Sequence, residues 1–433
     1  MNDRFEFWSS VEYSAFLKGL VRELCGATTE GRRQVAEAGG RRSDDGDRTT
    51  ADRGLKTEHD ASASGDPPRS LGCGTDTRSD PTGISACQRF AVTESEYRQA
   101  RGTLARLRMR WRCYVGYPVQ LRRRVRKEAA PQALVVCTNT FYAPWIAMRS
   151  ARKRGIPVVH WMFDLFPDVL VLAGKLKPGS PGERWLRRWV RSMFDGAAAN
   201  VFLGDKLLAF AESKFGPIPR CVVIPVGCDA APFAEREPRS RAAGEPVRLL
   251  YCGNFGRMHD VDTIAGALAG GVPKGVQVSF RGNGAGFTEL ASKLGGGGMI
   301  PGLSLGGSLP EGEWLHAMAQ ADVALVTMKP GAEGIVMPSK TYSAMAAGQA
   351  ILAVCPRQAD LADTVLRHDC GWVVTPGDVA GLRAVMESLP ARSEEVLAKR
   401  RNAWRAAREC YDQTVLAARW RELLGGLTVP DDK

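Results

Sequence analysis

The sequence predicts an α/β protein built as two Rossmann-like parallel-sheet domains that face a cleft. Three observations carry this. From Ala133 onward, short apolar runs alternate with helix-period segments, the pattern of parallel strands covered on both faces. A polar, proline-containing stretch, residues 231–246, divides that pattern in two. In the second half, glycine-rich turns follow the apolar runs, where such sheets bind ligands.

Taken in order, residues 11–24 read as a helix with Tyr13, Phe16, Leu17, Leu20, Val21 and Leu24 on one face. Residues 1–27 thus form an N-terminal helical piece. Residues 28–93 are expected to be disordered: between Thr28 and Pro81 the large aliphatics are Val35, Leu55 and Leu71. From residue 94 to 127 the chain turns helical and strongly basic. Arg106, Arg108, Arg110 and Arg112, then Arg122, Arg123, Arg124, Arg126 and Lys127, interleave with Leu107, Met109, Trp111, Tyr114 and Tyr117. Two readings stay open for the 101–127 segment: a solvated helix face, or an electrostatic foot on an anionic membrane surface. Nucleic acid is not expected, since no recognised binding module accompanies the charge.

The first sheet draws strands from 133–137, 156–160, 197–202 and 221–225, with helices at 142–154 and 184–194, giving a domain over 94–230. After a linker at 231–247, strands at 248–252, 275–280, 323–328, 350–354 and 371–374 alternate with helices at 261–268, 313–319 and 339–347. That second domain runs over 248–393. Residues 394–433 continue as helices expected to cross back to the first domain.

The charge balance of 59 − 47 = +12 favours an anionic partner. The 11 cysteines form no CxxC pair and the 5 histidines lack ligand spacing with them, which points to free thiols in a reducing cytoplasm and to no metal site. Charges precede any apolar run at the start, unlike a secretory leader, and no segment is continuous enough to span a bilayer. The expected location is cytoplasmic, including the inner face of the membrane.

The chemistry concentrates in residues 323–348, where an apolar strand ends in a loop with Gly331 and Gly334 and Pro338-Ser339-Lys340 opens a helix. Ser339 is expected to cap that helix, whose first N–H groups, with Lys340, make a diphosphate seat. Glu333 is placed to accept hydrogen bonds from ribose hydroxyls. Gly253-Asn254-Phe255-Gly256-Arg257 brings backbone amides and a guanidinium toward the same cleft, and Gly282-Asn283-Gly284 follows the next strand. Asp260-Val261-Asp262 matches a metal-binding DxD in form, but Asp260 at a helix mouth reads as an N-cap. His160 reads as a core histidine and His368-Asp369-Cys370 as a loop with a buried thiol. Trp185 and Trp189, flanked by Arg184, Arg187, Arg188 and Arg191, suit a membrane-facing helix or simple packing.

The pieces YCGNFGRMHDVDTI, FRGNGAG, ADVALVTMKPGAEGIVMPSKTYSAMAAGQAILAV and CGWVVTPGD, between residues 251 and 378, resemble the donor-binding domain of a GT-B glycosyltransferase, family 4 type. HWMFDLFPDVLVLAGKLKPGS and VFLGDKLLAFAESKFG extend the likeness into the first domain. The resemblance implies a metal-independent, retaining hexosyltransferase with no cofactor beyond its nucleotide-diphosphate sugar donor. The acceptor it implies is lipid-linked or a saccharide, in cell-surface polysaccharide or glycoconjugate synthesis. Arg257 and Lys340 would balance the departing diphosphate. The family's paired glutamates match Glu333 first, while the second position falls on Thr341 or Ser343. The basic pair after the donor domain's first strand falls on Asn254 and His259. The family's His-Asp falls on Phe163-Asp164, so Asp164, aided by Asp168, is expected to orient donor or acceptor. The family's opening strand is missing from this reading, since residues 10–25 resemble only the helix behind it. A pseudo-enzyme that binds nucleotide sugar or membrane, and a nucleotide-sugar 2-epimerase, are the competing readings.

Overall fold

A computed structural model describes residues 4–11, 20–21, 23–24, 76–79, 85–92, 96, 102–234, 237–242, 244–295, 300–335 and 337–427. The remainder of the 28–93 segment, and most of the helix expected at 11–24, lie outside the described residues.

The first sheet runs β1 (Arg4–Val11), β2 (Asp76–Ser79), β3 (Ser85–Val92), β4 (Ala133–Cys137), β5 (Val158–Trp161), β6 (Ala199–Phe202) and β7 (Cys221–Val223). Its spatial order is β2-β3-β1-β4-β5-β6-β7, antiparallel only between β2 and β3. The opening strand is therefore present, in the middle of the sheet. Phe5, Phe7 and Trp8 are buried there, and β1 pairs in parallel with both β3 and β4. The charges that hid it are neutralised in place: Glu6 is 3% exposed and meets Arg89 at 3.5 Å and Arg124 at 3.7 Å. An interior carboxylate survives only with such partners. Val11 ends this strand instead of starting a helix, although Leu20, Val21 and Leu24 are helical and buried as the periodicity expects. Asp76–Ser79 and Ser85–Val92 correct the expectation of disorder across 28–93. Ladder hydrogen bonds and a neighbouring apolar strand supply what local composition lacked.

The second sheet comprises β8 (Val247–Asn254), β9 (Val276–Asn283), β10 (Leu303–Gly306), β11 (Val323–Thr327), β12 (Ala350–Val354) and β13 (Gly371–Val374). All its pairs are parallel, in the order β10-β9-β8-β11-β12-β13. That is the doubly wound order 3-2-1-4-5-6, whose direction reverses between β8 and β11. Crossover helices leave and enter on opposite faces at such a point, so a crevice opens above the carboxyl ends of those two strands. Strands β4, β11 and β12 are buried at every position, as helices on both faces require.

The helical tail returns to the first domain. Gln413–Gly425 places Trp420 edge-on against Phe7 at 5.7 Å and Trp161 at 4.8 Å. Asp412 caps that helix through Thr414 N and accepts Ala230 N at 2.9 Å, so the chain after β7 and the chain before the last helix are tied together. A second tie crosses the cleft: Asp360 accepts the amides of Lys206 and Leu207, both at 2.9 Å, capping the Asp205–Phe215 helix from the opposite domain. Gly204 is required there, because a Cβ would collide with that carboxylate. Among the described residues, no helix is long and apolar enough to cross a membrane.

Candidate functional site

The crevice between β8 and β11 is walled by the loops that follow them. After β8, Gly253 and Asn254 pair in register with Gly282 and Asn283 of β9. The two turns are pressed together: a Cβ at Gly282 would strike the Gly253 carbonyl, and one at Gly284 the Asn254 side chain and the Phe255 carbonyl. Glycine is needed here to let backbone meet backbone. Asn283 O accepts Phe255 N at 2.7 Å and fixes the turn. The β8 turn also reaches the β11 loop, where Met258 O accepts Lys329 N at 3.0 Å.

Lys340 comes from the other side of the crevice and closes onto this turn. Its ammonium donates to Asn254 O at 2.9 Å and to the Tyr251 hydroxyl, and lies 4.2 Å from the Tyr251 ring centroid. Gly253 leaves space for it, since the lysine's Nζ is 3.9 Å from where a Cβ would sit. Among the described residues, no carboxylate pairs with this cation. Burial without an anion draws the Lys340 ammonium down to about 7. His259, beside it, is drawn to about 4 by burial and then by the Lys340 charge, while its Nδ1 bonds Thr327 O at 2.6 Å. A lysine desolvated beside a neutral histidine, with no counter-ion among the described residues, forms a site that gains by taking up an anion.

Arg257 is exposed on the same turn, and among the described residues no hydrogen bond or ion pair engages its guanidinium. Gly256 O accepts His259 N at 3.3 Å, which holds the turn that carries it. Glu333 is half-buried, accepting Gly331 N at 2.7 Å and the Gln358 amide at 3.2 Å, so its carboxylate is positioned by its own loop. Gly334 sits against Phe210 and Gly331 against Leu172, both in the first domain, and Ile335 O accepts Leu165 N at 3.2 Å. The β11 loop therefore bridges the domains next to Asp164.

Asp164 is half-buried, and desolvation pushes its carboxyl up to about 6. Thr138, at the end of β4, accepts Phe163 N at 3.0 Å and Asp164 N at 3.2 Å, which fixes the turn. Asp168 does not share that role. Arg187 holds both its oxygens at 3.2 Å while also binding Glu183, so the carboxylate is committed to an ion pair. Ser339 also departs from expectation. It sits in helical conformation at the start of Lys340–Ala346 and its side chain makes no cap, leaving an exposed hydroxyl, while Pro338 is buried and accepts Thr341 N and Oγ1. Thr341 is thereby buried and Ser343 half-buried. Asp260 caps through Thr263 N at 3.1 Å, and Asp262 pairs with Lys293. His160 is a buried partner of Asn200 at 3.2 Å, and His368 bonds the Tyr411 hydroxyl at 2.9 Å.

Tyr251, Thr138 and Gln358 are the positioning groups that motif reading did not single out. Tyr251 lies inside an apolar strand, and nothing local signals that its hydroxyl would meet Lys340 across the sheet.

Residues 81–231 match the family described as Glycosyltransferase Family 4. The chain is 30% identical over 246 residues to "Probable glycosyltransferase WbjE" of Pseudomonas aeruginosa, covering 54% of this chain and 60% of that protein. It thus spans about three fifths of the length of the curated relative it matches. Among solved structures, sucrose-phosphate synthase of Thermosynechococcus elongatus superposes with a TM-score of 0.64 at 14% identity, over 98% of this chain and 99% of that one. HepE of Anabaena in complex with UDP-glucose gives 0.60 at 12% identity, over 98% and 99%. The fold is GT-B, and the likeness to family 4 covers residues 81–231.

Proposed function

We propose that this GT-B chain of family 4 type transfers a sugar from a nucleotide-diphosphate donor, with retention at the anomeric carbon, to a lipid-linked or saccharide acceptor. The observation that carries this reading is the unpaired Lys340 ammonium on Tyr251 and Asn254 O at the β8–β11 switch point. The diphosphate would take the place opposite that ammonium, with Arg257 closing from the exposed turn and the amides at Ser339 and Lys340 on the third side. Glu333, already oriented by Gly331 N, would receive the ribose hydroxyls. Asp164 would hold the reacting sugar or the acceptor hydroxyl from the first domain. As the glycosidic bond to the diphosphate breaks, negative charge grows on the leaving oxygen. Fixed cations then stabilise the transition state more than the ground state. In this reading they do so without a metal ion. The UDP-glucose bound to HepE supports a nucleotide sugar here as well.

The reading of a pseudo-enzyme loses one of its motives, because the opening strand is present. It keeps the other. Phe163 stands where the resemblance expects histidine, its ring 4.9 Å from Trp161.

The test is a thermal-shift screen of the full chain against UDP-, GDP- and dTDP-sugars, followed by assay of nucleoside diphosphate release. Stabilisation by one nucleotide class with slow release supports the transferase. Tight binding without release, with or without acceptor, supports the impaired protein, and binding of none ends the donor-site assignment.

A further inference from the structure

A cavity of about 400 Å³ opens where the linker between the domains meets the helical tail. Its walls are Ala234, Glu237, Pro238 and Arg239 from the linker, with Arg401 and Trp404 from the Ser393–Ala406 helix. None of these belongs to the crevice of Lys340, Glu333 and Asp164. The volume suits a small organic molecule.

The walls are braced from behind. Pro238 is buried against Gly348, where a Cβ would lie 2.6 Å from the proline ring, so the linker seats on bare backbone. Arg400 fixes both strands of chain at this point: its Nη1 donates to Arg239 O at 3.3 Å and its Nε to Gly348 O at 2.9 Å. Trp404 Nε1 donates to Phe233 O at 3.5 Å. The Arg408 guanidinium lies 3.6 Å from the indole centroid and donates to Phe233 O at 2.6 Å and to Trp404 O at 3.0 Å. A site formed in advance costs a ligand little ordering.

Charge at the cavity is unbalanced. Asp322, the buried carboxylate that Arg400 reaches at 2.8 Å, is already taken, since it also accepts Arg248 N at 3.0 Å and stands 3.8 Å from Arg241. Glu237 is 3.8 Å from Arg401, beyond hydrogen-bond reach, and the two side chains are 65% and 48% exposed. Such a pair contributes little in water. Arg239 is exposed, and among the described residues no hydrogen bond or ion pair engages its guanidinium. Two guanidiniums thus line the cavity against one loosely held carboxylate, with an indole beside them. Guanidinium forks match phosphate oxygens, and an aromatic face takes the ring of a sugar or a base.

We infer that this cavity is a second ligand site and takes a small phosphate ester, its phosphate between Arg239 and Arg401 and its ring against Trp404. An ester bound there ties the linker to the Ser393–Ala406 helix. The inference does not rest on the transferase reading, because the two sites share no residue.

The experiment is hydrogen exchange of the full chain with inorganic phosphate, UMP or glucose 1-phosphate. Residues 233–242 and 400–408 report the cavity, and residues 253–257 and 333–340 report the crevice. One of the two esters is expected to slow exchange in both cavity segments, by about tenfold at roughly ten times its Kd. Protection by UMP marks a nucleotide site and protection by glucose 1-phosphate a sugar-phosphate site. Arg239→Gln with Arg401→Gln should weaken that binding about 10- to 100-fold, as loss of charge-assisted bonds predicts, and leave the crevice segments as in wild type. Both side chains are exposed, and an unchanged thermal transition will show that the variant is folded. Arg405→Gln, exposed on the same helix but outside the cavity, should bind like wild type. The inference is overturned if neither ester protects the cavity segments, or if inorganic phosphate protects them equally, which would mark an adventitious ion only. It is also overturned if protection survives in the double variant or is lost equally in Arg405→Gln.

Discussion

Lys340 offers the sharpest test, because its environment makes donor binding depend on pH in a definite direction. In the empty site burial against Tyr251 draws its ammonium from the ordinary 10.5 down to about 7, with no carboxylate among the described residues paired to it. It is therefore about nine-tenths charged at pH 6 and about one-tenth charged at pH 8. A diphosphate opposite Nζ restores a counter-ion and lifts the value again, so binding takes up a proton. Affinity for the nucleotide sugar should fall roughly tenfold from pH 6 to pH 8, the limit being tenfold per unit above the free-site value. Stability of the empty protein should run the other way. The unfolded chain holds the extra proton between about pH 7 and 10.5, so the folded state gains as pH rises through that window. The assay is calorimetric titration with the sugar nucleotide that the screen selects, whose diphosphate is a diester and does not titrate in this range. Buffers of different ionisation enthalpy report the proton directly. Lys340→Met should bind about 10- to 100-fold more weakly at pH 6, as loss of a charge-assisted bond predicts, with a flat profile. A flat wild-type profile, or the same slope in the variant, would refute the placement of the diphosphate at Lys340.

Three further outcomes are expected. Glu333→Ala should raise the donor KM about tenfold or more, since the carboxylate that Gly331 N orients is lost; steady-state kinetics with an unchanged KM would remove it from the ribose site. Gly282→Ala should cost about 2–4 kcal/mol, because the new Cβ meets the Gly253 carbonyl and the β8 and β9 turns must separate; an unaltered calorimetric transition would contradict that packing. Asp360→Ala deprives Lys206 N and Leu207 N of their cap. It should speed hydrogen exchange at those amides about fivefold, for a cap of about 1 kcal/mol, while leaving donor-induced stabilisation in place. Exchange at the wild-type rate would mean that the tie between the domains carries no energy.

Much of the second domain was legible along the chain because its cues are local. Apolar runs buried on both faces, such as Val323–Thr327 and Ala350–Val354, have few alternatives to parallel strands. The turns Gly253–Gly256 and Gly282–Gly284 announce themselves because only glycine tolerates their close approach. The opening strand was not legible. Arg4-Phe5-Glu6-Phe7-Trp8 carries charge at positions that a buried strand excludes, and the partners that make Glu6 tolerable, Arg89 and Arg124, lie far along the sequence. Strands β2 and β3 were hidden for a related reason: β3 is stabilised by pairing with β1, which was itself missed. Asp168 and Ser339 show the opposite error. Their side-chain types suit a site, but Arg187 takes one and helical backbone at the cap position disengages the other.

What the sequence determined was the alternation of strand and helix and the glycine-rich turns that wall the β8–β11 crevice. These follow from periodicity and from backbone sterics, which act over a few residues. The tertiary structure decided where each side chain's charge and hydrogen bonds end. It buried Glu6 safely between two arginines, and it brought Lys340 onto Tyr251 with no carboxylate beside it among the described residues. It also left Leu104, Leu107 and Trp111 facing outward. Those outcomes depend on desolvation and on partners brought near by folding, and neither quantity is a property of a stretch of chain alone.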